Sequence, residues 1–306
     1  MRKLASVRKR KMGVSSMSAD KHVLAPKSSR FRDMLKRFCR NKTALIGFII
    51  IVILILVAIF AHVIAPYGYD DQNLNETLQK PSAAHWFGTD NYGRDMFSRI
   101  VYGTRISIFV GLMAASIGVL FGGILGSLAG FYGGRVDAII MRMTDVVMAI
   151  PVLIMAVVIC AVLGNGLMNT MIAVGITIIP SYTRVVRSAV LTARQQDYVE
   201  ASRAVGGKDF HIILRHVVPN SLAPVIVQAS LGVAEAILSA ASMSFIGLGI
   251  QPPTPEWGAM LSAGRSYIRD FPGLEIFPGL AIVVTILAIN LFGDGLRDAL
   301  DPKLKR

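Results

Sequence analysis

The chain has 306 residues, of which 53% are apolar and 17% charged, and its mean hydropathy is +0.56. Soluble domains carry about 25% charged residues, so a soluble globular protein is excluded, and the net charge of +13 bears on membrane topology before it bears on nucleic acid. Two cysteines, Cys39 and Cys160, exclude a disulfide framework and are expected as free thiols.

Residues 1–43 form a basic tail, with 14 Lys and Arg against two acids. It is expected to be disordered and solvated and to help set orientation, the run Arg8-Lys9-Arg10-Lys11 included. The apolar run at 44–65 contains His62 as its one ionisable group; at about 1.5 Å per residue it reaches roughly 33 Å, enough to cross a bilayer and too long for the core of a signal peptide. A loop with five acids follows at 66–105. Residues 106–292 then hold five further predicted spans, at 106–129, 138–163, 167–182, 223–245 and 276–292, and residues 293–306 form a second tail. The fold class expected is an all-α polytopic membrane protein with six transmembrane helices.

Within the spans, Gly118, Gly122, Gly126 and Gly130 recur every fourth residue. They share one helix face and predict close packing against a neighbouring helix. Asp145 lies one turn after Arg142, a spacing that suits an ion pair within one helix. Glu235 falls near the middle of the fifth span, where a carboxylate costs about 3 kcal/mol. It is therefore expected to face the bundle interior or a watery cavity, as a pathway residue or as a structural hydrogen-bond partner. Ser239, one turn on, and Gln251, beyond the span, are placed with it as pathway candidates.

Six spans put both termini on one side. The two tails, the loop at 183–221 and the turn at 131–142 together hold 26 of the 32 Lys and Arg. The positive-inside bias therefore places both termini and the 183–221 loop in the cytoplasm. No catalytic constellation gathers at one depth. The five histidines share no metal-ligand spacing, and Gly206-Gly207-Lys208 lacks the flanking residues of a nucleotide-binding loop. One buried acid is thin support for an ion-driven carrier, which needs relays of ionisable groups.

The loop at 183–221 is the most informative segment. Asp197 to Ala204 suits a short helix with Asp197 and Glu200 favourably placed for its dipole, stopped by Gly206-Gly207. Phe210, Ile213, Leu214 and Val217 then share an apolar face, and Pro219 is expected to end that segment. A projecting helix end with small residues, Ala201 and Ala204, can enter a groove on a partner.

Glu200-Ala201, Gly206, Ile213, Leu214 and Pro219 resemble the "EAA" loop of bacterial ABC-importer permeases. Phe87-Gly88-Thr89-Asp90 with Gly93-Arg94-Asp95, Arg142-Met143-Thr144-Asp145, and Gln251-Pro252-Pro253-Thr254-Pro255-Glu256-Trp257-Gly258 resemble the dipeptide, oligopeptide and nickel branch, "C"-type subunit, across residues 31–306. The resemblance implies a type I importer permease of the bacterial inner membrane that pairs with a second, homologous permease. It implies two ATPase subunits below and an extracytoplasmic binding protein above, with no nucleic acid involved. ATP and Mg would sit on the ATPase subunits, and this chain would bind no cofactor or metal. The coupling element implied is Asp197, Glu200, Ala201, Ala204, Gly206 and Gly207, with Glu200 as a capping carboxylate or as partner to a basic ATPase residue. Residues 95–102 suit a helix with Met96, Phe97, Ile100 and Val101 on one side. Asp90, Arg94, Asp95 and Arg99 are then candidates for internal salt bridges or receptor contacts. The stiff stretch 251–258 is a candidate ledge, and Trp257 a docking residue or interfacial anchor. Cargo implied is a dipeptide or oligopeptide, with glutathione or a nickel chelate as alternatives.

Overall fold

The structure is a computed structural model that describes residues 30–300. The basic run at residues 8–11 lies outside the described residues. Every regular element among the described residues is helical, apart from an isolated β-bridge between Thr89 and Asp95.

The part of the basic tail that is described is ordered, against expectation: α1 (Arg30–Arg40) is a helix lying against the last helix of the fold. Asn41 then caps α2 (Lys42–Ile59) through its side-chain oxygen, which accepts from the backbone of Thr43 and Ala44 at 3.2 and 3.3 Å. The expected 44–65 helix is interrupted at Phe60, and a single turn, α3 (Ala61–Ile64), completes it. Only Ala44 and Gly47 of α2 are fully buried, and most of the helix is exposed in the isolated chain, as befits an apolar helix facing lipid.

A loop containing one 3₁₀ turn (Leu74–Glu76) leads to α4 (Met96–Tyr132). The expected third span is two helices, α5 (Gly134–Met148) and α6 (Val152–Leu163), bent by 89° at the intervening Ile150-Pro151. Proline lacks the amide that would continue the helix and excludes helical backbone in the residue before it, so the break falls there. The pair still runs from one end of the bundle to the other. Gly133, at its start, lies by Arg194, and Gly166, just past its end, donates to the Gly249 carbonyl at 3.2 Å.

The fourth span is the first half of a longer helix, α7 (Leu167–Arg194). Among the described residues, four helices are individually long and apolar enough to cross a membrane: Lys42–Ile59, Met96–Tyr132, Asp209–Phe245 and Gly273–Leu300. Taken as one span, the bent pair makes a fifth; α7, 28 residues long and packed along α4, is a further bundle helix that length and apolarity alone do not mark as a span. α7 is more polar than the others because neighbours wrap it, burying Thr170, Thr177, Tyr182 and Thr183, so little of it needs to match lipid. The remaining elements are α8 (Asp197–Ala204), α9 (Asp209–Ile212), α10 (Val218–Phe245), α11 (Trp257–Gly264) and α12 (Gly273–Leu300).

The glycine stripe does what its spacing predicts. Side chains built on Gly122, Gly126 and Gly130 would lie 2.5 Å from Tyr182 Cβ, 2.6 Å from the Thr183 carbonyl and 2.8 Å from Val190 Cγ1. α4 and α7 therefore touch backbone to backbone, and this pair is the spine of the bundle. Gly47 of α2 plays the same part against α12, 2.6 Å from the Ala288 carbonyl.

Candidate functional site

At one end of the bundle α8 projects between α7 and α10. It is fastened through Val199, which is fully buried with Phe131, Val190, Ile212 and Val217. The Arg203 guanidinium lies 5.2 Å from the centre of the Phe131 ring, and Arg194 Nη1 donates to the Phe131 carbonyl at 2.8 Å, so α8 and the end of α7 are both tied to the end of α4.

The outward side of α8 is open. Asp197, Glu200, Ala201 and Ala204 are exposed, and no ion pair or side-chain hydrogen bond engages the two carboxylates among the described residues. Glu200 does not cap α8, whose start carries no side-chain cap. The helix closes in a Schellman turn: Gly206 N–H donates to Arg203 O and Gly207 N–H to Ser202 O, both at 2.9 Å. Gly206 has φ +82°, a conformation that side chains resist. A side chain on Gly206 would point into open space, whereas one on Gly207 would meet the Ser202 carbonyl at 2.7 Å.

The segment after the turn differs from its sequence reading. Residues 213–217 form a π-turn that joins α9 directly to α10, and Pro219 stands in the first turn of α10 instead of ending a helix. The wider turn absorbs the hydrogen bond that Pro219 cannot make. It also shifts the helical register: Ile212, Ile213 and Val217 turn inward, while Phe210 and Leu214 are 73% and 54% exposed. Phe210, Ile213 and Leu214 still border one apolar recess, while Val217 turns into the core and leaves the expected common face.

Along α10, Glu235 is exposed in the isolated chain, and Ser239 is half-buried one turn away on the same side. Gln251 lies apart, past the end of α10, where its Nε2 donates to the carbonyls of Gly247 and Gly249 at 3.0 and 3.3 Å. Asp145 does not pair with Arg142. Its partner is Arg184 on α7, at 2.5 Å, and Asp137 receives both Nε and Nη2 of Arg187 at 2.5 and 2.6 Å. These bridges hold α5 to α7. The partners are 39 and 50 residues apart, and no local spacing announces them.

At the opposite end the loop before α4 is a compact knot. Asp90 accepts from Arg94 Nε at 2.7 Å and from the backbone of Tyr92 and Arg94. Arg99 reaches Asp90 at 3.7 Å and donates to the Tyr69 carbonyl at 2.7 Å. Asp95 caps α4 at Ser98 N, 2.7 Å, and meets His85 Nδ1 at 2.9 Å. Trp257 is fully buried, its Nε1 donating to Ile100 O at 3.2 Å, so it is no interfacial anchor. Asp90, Arg94, Asp95 and Trp257 all have their side chains engaged within the fold. They build the frame of this end of the bundle, while their neighbours Trp86 and Tyr92 are exposed on it. Sequence reasoning missed Glu256. It is buried and caps α11 through Gly258 N and Ala259 N at 3.0 and 2.8 Å, and burial pushes its carboxyl above the usual range.

Residues 122–306 match the family described as the binding-protein-dependent transport system inner membrane component, and residues 29–81 match the N-terminal TM domain of oligopeptide transport permease C. The chain is 48% identical over 277 residues to the dipeptide transport system permease protein DppC of Alkalihalophilus pseudofirmus, covering 90% of this chain and 91% of that one. It is 44% identical over 302 residues to the glutathione transport system permease protein GsiD of Pectobacterium atrosepticum, covering 97% and 98%. Among solved structures, an inward-facing MetNI methionine ABC transporter chain superimposes with a TM-score of 0.57 over 67% of this chain and 98% of that chain, at 19% identity, a likeness of fold. With its apolar crossings, its glycine-packed spine and its projecting loop, the chain belongs to the binding-protein-dependent transport inner-membrane family, in the oligopeptide permease C branch, and is an ABC-importer permease.

Proposed function

We propose that the chain forms half of the translocation pathway for short peptides in a heterodimer with a second permease, and that two ATPase subunits grip α8. The observation that carries the coupling role is the exposed α8 with its Schellman stop, joined directly to α7 and α10 and fixed to α4 through Val199. An element shaped in this way passes a push from outside straight into three membrane helices. Asp197, Glu200, Ala201, Ala204, Gly206 and Gly207 form its outer surface. The chain itself hydrolyses nothing; ATP and Mg belong to the ATPase subunits.

Both termini and α8 face the cytoplasm of the inner membrane, by the charge bias of the loops. The knot around Asp90 and Trp257 faces the extracytoplasmic binding protein. Glu235 and Ser239 line the pathway, with Gln251 at its outer mouth. The resemblance to relatives named for dipeptide and for glutathione transport supports a short peptide as cargo.

Gly206→Val tests the coupling role. A β-branched residue at φ +82° costs about 1–2 kcal/mol in this turn, yet its side chain meets no neighbour. The variant is therefore expected to reach the membrane at normal levels, while peptide uptake by the assembled transporter is lost and the ATPase subunits no longer respond to the loaded binding protein. Normal uptake would refute the assignment.

A further inference from the structure

The ordered helix before the first span has no part in the function proposed above. In sequence α1 is two-sided. Phe31, Met34, Leu35 and Phe38 recur at the spacing of one helix face, and the basic residues, Lys36, Arg37 and Arg40 among them, fall on the other. The structure shows how this helix is set. Asn41, in extended backbone, breaks the helical path between α1 and α2, and its Nδ2 donates to Asp298 near the end of α12 at 3.3 Å. Further along α2, Ala44 lies against Gly295 and the Phe48 ring stacks on Phe292 at 6.1 Å, so these antiparallel pairs mark increasing depth in the bundle. Phe38 comes before Asn41 in the chain yet reaches the deeper level: its ring meets Phe292 at 5.5 Å and Phe48 at 6.2 Å, both edge-on. α1 therefore folds back across the end of the bundle and does not run on from α2 into solvent.

The bundle covers the apolar face of α1 only in part. Leu35 is 49% exposed, and Cys39, one turn later on the same edge, is exposed as well. Lys36, Arg40 and Lys42, on α1 and at the start of α2, are exposed and form no ion pair among the described residues. Asp298 accepts from Asn41 instead of from any of them. An apolar edge and free cations on one helix, held at the rim of a membrane bundle, fit one surface: an anionic bilayer, whose acyl region takes the leucine and whose phosphates take the cations. The geometry points to α1 as a helix that lies in the headgroup layer and gathers anionic phospholipid around the ends of α2 and α12. Phe38 and Asn41 fasten α1 to both helices, so the gathered lipid holds their ends at a fixed depth. The site needs only that the chain spans a membrane; neither the coupling role of α8 nor the proposed sidedness enters it.

The test uses the assembled transporter carrying a fluorescent maleimide on Cys39 of this chain; Cys160 is buried and stays unlabelled. The complex is reconstituted into phosphatidylcholine vesicles with a small, equal fraction of either spin-labelled phosphatidylglycerol or spin-labelled phosphatidylcholine, the nitroxide near the top of the acyl chain. Quenching of the fluorophore then reports how much of each lipid surrounds α1. The expected result is quenching by both, with phosphatidylglycerol enriched about fivefold, since one cation at an anionic surface is worth about that factor. Replacing the three exposed cations together, Lys36→Gln, Arg40→Gln and Lys42→Gln, is expected to bring the ratio towards one. Salt of about 1 M is expected to do the same for the unsubstituted chain, with no substitution that could disturb folding. Equal quenching by the two lipids in the unsubstituted complex overturns the proposal, as does a ratio that the triple substitution leaves unchanged. A label quenched by neither lipid also overturns it and makes α1 a contact for a partner protein instead.

Discussion

Glu256 shows how a residue can be ionisable and still be a packing residue. Its carboxylate takes two backbone amides at the start of α11 while burial raises its pKa. The folded chain thus holds this proton to higher pH than the unfolded chain does, and the sign follows from linkage: stability from this group is greatest below the ordinary value of 4.5 and falls as pH rises through the raised one. Glu256→Gln cannot accept both amides, so it is expected to destabilise the protein by about 1 kcal/mol. It is also expected to flatten the decline in stability as pH rises above 4.5. Thermal unfolding of the purified complex across a pH series measures both effects. The sequence shows such acids as charges only. Asp90 was legible as a partner of nearby arginines, whereas Asp95 pairs with His85 and caps α4 at Ser98 N instead; these bonds to backbone amides and to His85 are ones that no spacing encodes.

At the scale of elements, periodicity was the reliable guide. The glycine face of α4 was legible because close helix packing leaves room for hydrogen atoms alone, and the structure supplies an internal control for it. Gly126→Val drives a side chain into the Thr183 carbonyl and Val186 and is expected to cost about 1–3 kcal/mol, seen as reduced folded protein in the membrane. Gly123→Ala, three residues away and facing open space, is expected to cost nothing measurable by the same assay. Illegible were the features that depend on what lies beside a helix. The sharp bend between α5 and α6 was hidden within one apolar run, although Ile150-Pro151 marked the place. The π-turn before Pro219 moved Phe210 and Leu214 outward by a change of register that a regular helical wheel cannot express. The bridges from Asp137 to Arg187 and from Asp145 to Arg184 needed the packing of α5 on α7 to be known first.

For the whole molecule, the expected crossings and the proposed sidedness rest on composition and charge, because the bilayer constrains both the length and the flanking charge of each segment. The two thiols offer a direct check of sidedness. Cys39 is exposed just before α2 and Cys160 is buried in α6. In the proposed orientation a membrane-impermeant maleimide is expected to label Cys39 in inside-out vesicles and not in intact cells lacking an outer membrane, while Cys160 stays unlabelled until the protein is denatured. Labelling of Cys39 from outside intact cells would reverse the topology.

Tyr182 lies near the middle of α7, an element about 42 Å long. Its ring is wedged against Gly118 and Gly122 of α4, and its hydroxyl lies against Gly232 of α10, leaving no slack on either flank. The inner half of α7 is also clamped to α4 through Gly122, Gly126 and Gly130 and through Arg194 at the Phe131 carbonyl. The two helices can therefore shift only together, as one stiff strut. A load applied at α8 is carried past Tyr182 to the far half of α7 without being taken up by bending in between.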